Sequence, residues 1–132
     1  MRNTKIVPIF YTCDDTNAKS TVASLQSIIN YADNTADYTV CILHTGMSKQ
    51  NIKKMHELGK LGFNITLEDI SCYAKGEAQI GFSSDFVRAF IPEMFPGYHD
   101  SILVNSDYVA SEDIAHFLDA GKSEASLYRI CC

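Results

Sequence analysis

The sequence is most informative at first for what is missing. Its 132 residues contain no run of Lys or Arg, and the net charge is -5. Binding along nucleic-acid phosphates needs clustered positive charge, so nucleic acid is excluded as the main partner. The same absence excludes an electrostatic membrane patch. No window approaches the ~20 apolar residues of a bilayer span, and Met-Arg-Asn-Thr-Lys-Ile-Val-Pro at the start has no apolar signal-peptide stretch. The five cysteines include no Cys-x-x-Cys pair, which speaks against a zinc site or a disulfide framework. Together these absences predict a cytoplasmic protein with reduced thiols and no membrane span. Repeats, linkers and low-complexity tracts are absent too, so residues 1–132 read as one domain.

What is present is an apolar pattern that changes period along the chain. Ile6, Val7, Ile9, Phe10 and Tyr11 form a buried strand from Lys5 to Thr12, although Pro8 removes a ladder donor. A polar turn, Cys13-Asp14-Asp15-Thr16-Asn17, follows. Ala18, Val22, Leu25, Ile28 and Ile29 then recur at helical spacing. Tyr38 to Leu43 is a second strand, Gly46 punctuates, and Ser48 can cap a helix whose apolar face is Ile52, Met55 and Leu58. Phe63, Ile65 and Leu67 alternate with Asn64 and Thr66 as a half-buried third strand. Glu68 to Gly81 has no period and reads as a long loop.

Ser83 or Ser84 can start a short helix with Phe86, Val87 and Phe90, which Pro92 or Pro96 ends. Ile102 to Val104 is a fourth strand, Glu112 to Asp119 a short helix and Ala125 to Ile130 a last strand. Strands alternating with helices predict an α/β fold, a mainly parallel twisted sheet with helices on both faces. Ligands of such sheets bind outside the carboxyl ends of the strands.

Those ends carry Asp14 and Asp15, then His44 and Thr45, then Asn105, Ser106 and Asp107. Carboxylates on one rim repel unless a cation or hydrogen-bond donors compensate. A hard divalent cation with a phosphate ligand meets that need; an Asp after a strand can equally form an Asx turn. Asp113 and His116 share a helix face and read as a solvated surface pair.

In order along the chain, "IVPIFYTCDDTN" with "AKSTVASLQSIIN", then "YTVCILHTGMSKQNIKKM", then "FSSDFVRAFIPEMFPGYHDSILVNSDYVAS" resemble family 8 glycosyltransferases over about residues 5 to 130. The resemblance implies a GT-A fold and retaining transfer of a hexose from a UDP-sugar. It matches Thr12, Asp14 and Thr16 to contacts with uracil and ribose. Arg88 matches an arginine near the donor sugar and diphosphate, and Asp85 lines the same pocket. Asn105 and Asp107 match a metal-binding triplet for Mn2+ or Mg2+, with Ser106 between them in the nucleotide-binding set.

Two departures qualify this picture. Asn105 stands where the family has aspartate, so the metal is expected to be held weakly, and His44-Thr45 replaces an acidic strand ending. Members of the family also continue well beyond the triplet, into the part that supplies the acceptor site. The expectation is therefore a nucleotide-sugar-binding half, a transferase that is weak or inactive alone and whose open side is covered by a homodimer partner or a second chain. Two alternatives stand beside it. One is a catalytically inactive structural or interaction module. The other is a phosphoacceptor receiver domain, which Glu68-Asp69 fits only loosely and for which Lys122 precedes the last strand instead of following it.

Overall fold

The computed structural model of the chain describes residues 5–32, 36–44, 46–59, 63–70, 91, 100–120 and 127–131. Strand β1 (Lys5–Thr12) leads into helix α1 (Ala18–Tyr31), β2 (Ala36–His44), α2 (Lys49–His56) and β3 (Phe63–Asp69). Then come β4 (Asp100–Val104), α3 (Ala115–Ala120) and β5 (Leu127–Cys131). The strands form one sheet in the order β3-β2-β1-β4-β5. The pairs β1–β2, β1–β4 and β2–β3 are parallel, and β5 joins β4 antiparallel. A receiver domain has its strands in the order 2-1-3-4-5, so the observed order removes that alternative. Among the described residues no helix is long and apolar enough to cross a membrane.

Side chains alternate across each strand. Val7, Ile9 and Tyr11 of β1 share one face with Tyr38, Val40 and Ile42 of β2 and with Phe63 and Ile65 of β3. Leu25, Ile28 and Ile29 of α1, Met55 of α2 and Ala115 of α3 pack into the same core. The second face is covered as well, since Phe10, Cys41, Leu43 and Leu103 are buried there. Glu68 and Asp69, predicted to open a loop, instead extend β3 through its pairing with β2. The rest of the predicted loop and short helix before β4 lies outside the described residues, apart from the buried Ile70 and Ile91. β3 follows its predicted alternation, with Asn64 and Thr66 exposed between buried Phe63 and Ile65.

Pro8 sits in β1 at the centre of the sheet, where a missing donor is usually costly. Cys13 N–H donates to Leu43 O at 2.9 Å. Donors alternate sides along a parallel strand, so odd-numbered residues of β1 donate to β2 and Pro8 faces β4. Pairing with β4 begins only at Ile9. The imino nitrogen therefore falls just before the ladder that it could not have supported.

Candidate functional site

β1 is flanked by β2 on one side and β4 on the other, so the strand order reverses there. This is the switch point at which open α/β sheets form a ligand crevice. Tyr11 is level with Val104. The next residues, Thr12 and Asn105, therefore leave the sheet side by side as the two lips of the crevice. Both are partly exposed.

The β1 lip is a tightly bonded turn. Asp14 Oδ1 accepts from Thr16 N–H at 2.8 Å and from Asn17 N–H at 3.1 Å. Asn17 returns the contact, its Oδ1 accepting from Asp14 N–H at 2.8 Å and its Nδ2 donating to Thr12 O at 3.4 Å. Asn17 occupies the cap position of α1 but makes no side-chain cap bond there. Its side chain is turned back into the loop.

Asp15 reaches across to α2. Its carboxylate accepts from Ser48 N–H at 3.0 Å and from Asn51 Nδ2 at 2.8 Å. The Ser48 N–H and then the Asn51 amide hold its carboxyl below the usual carboxylate range. Ser48 is the N-cap of α2, as its position in the sequence predicts, with Oγ accepting from Asn51 N–H at 3.3 Å. Beside it, His44 is buried at the end of β2, and its Nδ1 accepts from Gly46 N–H at 3.1 Å. The ring proton of neutral His44 is thereby assigned to Nε2. Gly46 has φ +144°, a conformation suited to glycine.

The β4 lip is a four-residue turn closed by the backbone, Tyr108 N–H donating to Asn105 O at 3.0 Å. Asn105 and Ser106 are partly exposed and Asp107 is exposed. Beyond the turn, Ala110 N–H donates to Ser27 Oγ of α1 at 2.9 Å. Further on, both oxygens of Asp113 lie 2.6 Å from Tyr38 Oη, and Oδ1 accepts from Ala115 N–H at 2.9 Å. The Tyr38 ring stacks on Phe63 with centroids 4.5 Å apart. Asp113 is thus a buried anchor and not the solvated residue that its spacing suggested, because a carboxylate at a helix start can satisfy backbone and phenol donors together. His116 instead meets exposed Glu112 at 3.2 Å, a surface pair of little weight.

Asp85 and Arg88 lie outside the described residues. Thr12, Asp14, Thr16, Asn105, Ser106 and Asp107 all lie at the carboxyl ends of β1 and β4. Among the described residues, no group of three or more His, Cys, Asp or Glu side chains is placed to hold a metal ion. Cys13 stands at this rim but is buried, and desolvation raises its thiol pKa. Burial pushes Cys41 up to about 12. Neither is a thiolate nucleophile at neutral pH.

Sequence reasoning overlooked Ser24, Ser27 and Asn51 as structural hubs. The available signal was the presence of hydroxyl residues within or beside the apolar stripe of α1. Thr21 and Ser24 are buried there, and a buried hydroxyl needs a partner.

No protein-family model matches the chain, and no curated protein sequence matches it. Solved structures do. WbbM, a bifunctional glycosyltransferase, superposes with a TM-score of 0.74 at 27% identity, over 87% of this chain and 21% of that one. The chain has the GT-A glycosyltransferase fold. LgtC superposes at 0.67 with 18% identity, over 86% of this chain and 42% of its own. Another LgtC structure, of the galactosyltransferase with donor and acceptor sugar analogues, also matches, with a TM-score of 0.62. GlyE, a glycosyltransferase of Streptococcus pneumoniae, gives 0.66 at 14% identity over 98% of this chain and 34% of that one. The chain spans less than half the length of each of these. The resemblance carried by the strand ends in the sequence thus corresponds to a glycosyltransferase fold.

Proposed function

We propose that the chain binds a UDP-sugar together with Mn2+ or Mg2+, as the nucleotide-sugar-binding half of a family 8-type glycosyltransferase, and transfers hexose weakly or not at all alone. The observation that carries this reading is the pairing of Tyr11 with Val104 at the switch point of a GT-A sheet, from which the chain runs on into the Asp14–Asn17 turn on one strand and the Asn105–Tyr108 turn on the other. LgtC was solved with donor and acceptor sugar analogues, which supports a sugar-nucleotide ligand here.

The donor set fits a hard cation. Asn105 offers an amide oxygen and Asp107 a carboxylate, both preferred by Mg2+ and Mn2+, which commonly complete their shell with phosphate oxygens and water. With one charged ligand the ion is weakly held. Bound, it would neutralise charge on the departing diphosphate. The other residues bind and orient: Thr12 and Thr16 offer hydroxyls to ribose and uracil, and Asp14 offers a carboxylate acceptor. Asp85, Arg88 and Ser106 are proposed for the sugar and diphosphate, since Arg supplies fixed donors for such oxygens.

Calorimetric titration with UDP, with and without Mn2+, tests the reading. Metal-dependent binding is expected, and Asp107→Ala is expected to weaken it roughly tenfold or more. No binding at millimolar UDP and Mn2+ overturns the reading. That result would favour the inactive structural module, which the uncharged Asn105 and the internally bonded Asp14 also suit.

A further inference from the structure

Both lips of the crevice are tied to one helix by hydroxyl groups. On the β1 side, Tyr11, the residue before Thr12, meets Ser24 Oγ of α1 at 2.7 Å in the core. Thr21 Oγ1 donates to Asn17 O at 2.9 Å, fixing the far end of the turn. On the β4 side, Ser27 Oγ accepts from Ala110 N–H at 2.9 Å and donates to Ser24 O at 2.6 Å. The Ser27 hydroxyl is thus oriented from both sides, by a donor it accepts from and an acceptor it donates to.

We infer that Ser27 is a positioning residue. Its hydroxyl clamps the chain three residues past Asp107, and so sets where the Asn105–Asp107 turn stands relative to Thr12 and Asp14.

The inference rests on the functional reading above, because positioning matters only if a ligand spans both lips. Its structural part stands on its own. Between the turn and the clamp, Tyr108 is half-buried against the core and Val109 is 73% exposed, so Val109 adds almost no packing of its own. Ala110 is buried. With the Ser27 hydroxyl gone, the Ala110 N–H loses its acceptor on α1. A turn that has lost this tie samples more positions, and a ligand gripped by both lips must order it on binding. A metal-independent contact made by the β1 lip alone does not incur that cost.

The test uses the full chain with UDP and Mn2+ as probes, in Ser27→Ala and Ser27→Thr. Calorimetry gives the Kd for UDP with and without the metal, and amide hydrogen exchange is followed at Ala110. Ser27→Ala should speed Ala110 exchange and weaken metal-dependent UDP binding roughly fivefold, the usual worth of one net hydrogen bond. UDP binding without metal should stay at the unaltered value. Ser27→Thr, which keeps the hydroxyl, should restore the metal-dependent Kd. A role confined to stability would lower the melting temperature and leave the metal-dependent increment intact, which overturns the inference. Unchanged exchange at Ala110 in Ser27→Ala overturns it as well. If the unaltered chain binds no UDP in the presence of Mn2+, the functional reading falls and this inference with it. Binding that Ser27→Ala leaves unchanged defeats the inference alone.

Discussion

The two lips of the crevice are built on different plans. The β1 lip is fixed by its own side chains: Asp14 and Asn17 bond each other's backbone, and Asp15 reaches to α2. The β4 lip has a single backbone bond closing its turn, and its position comes from contacts downstream at Ser27 and Tyr38. The first lip ties its carboxylates to nearby donors, Asp14 through Oδ1 and Asp15 through the start of α2. The second takes part of its restraint from neighbours downstream, at Ser27 and Tyr38. Acidic residues after strands therefore carry different meanings at the two places, although they look alike in the sequence.

The largest effect should come from the deep anchor of the β4 lip. Asp113→Ala leaves the Tyr38 hydroxyl and the Ala115 N–H without their acceptor in the interior, and is expected to cost about 3 kcal/mol. Urea unfolding followed by circular dichroism would read it. Asp113→Asn keeps an acceptor oxygen for both donors and should lose clearly less. Equal losses in the two variants would mean that the carboxylate charge, and not the hydrogen bonding, holds the segment.

That anchor also marks where the sequence stops being legible. Period and punctuation located β1 from Lys5 to Thr12, the apolar stripe of α1, the Ser48 cap and the alternation of β3. Each is local, set by spacing within a few residues. The rim at the carboxyl ends of the strands, with Thr12, Asp14, Thr16, Asn105, Ser106 and Asp107, followed from strand alternation, whereas the switch point between β1 and β4 needed the strand order. The Asp113–Tyr38 contact joins residues 75 apart in sequence, and the Ser27–Ala110 contact residues 83 apart. No periodicity encodes such a pairing. The sheet brings Tyr38 of β2 and Asp113 into reach, and α1 packed on its face does the same for Ser27 and Ala110. The downward helix spacing of Asp113 and His116 was a true local signal that tertiary packing overrode: α3 begins only at Ala115, leaving Asp113 before the helix as its buried anchor.

A smaller effect is expected at the β1 lip. Asp14→Ala removes the acceptor for the Thr16 and Asn17 amides, with a cost of about 1 kcal/mol, similar to the loss of a helix cap. The exchange of those two amides should quicken, while Ala110 exchange should stay as it is. Parallel changes on both sides would show that the lips are coupled more tightly than their separate hydrogen bonds imply.

The smallest effect separates charge from geometry at Asp15. Its carboxyl is held below the ordinary carboxylate pKa by the Ser48 amide and the Asn51 side chain. A depressed folded pKa means that the unfolded chain takes up the proton first as pH falls. The stabilisation from Asp15 is therefore complete above about pH 4 and is lost as pH drops below it, through the folded value. Urea midpoints measured at pH 7 and at pH 3 should converge between the unaltered chain and Asp15→Asn, because the amide has no charge to lose. Because the group is exposed, salt should shrink the difference at pH 7. A difference that persists unchanged at pH 3 would show that the bridge from the β1 lip to α2 depends on the shape of the side chain and not on its charge. In that case Asp15 resembles Asn17 more than Asp14, a spacer fitted to the turn, and the acidic pair after β1 contains one functional carboxylate instead of two.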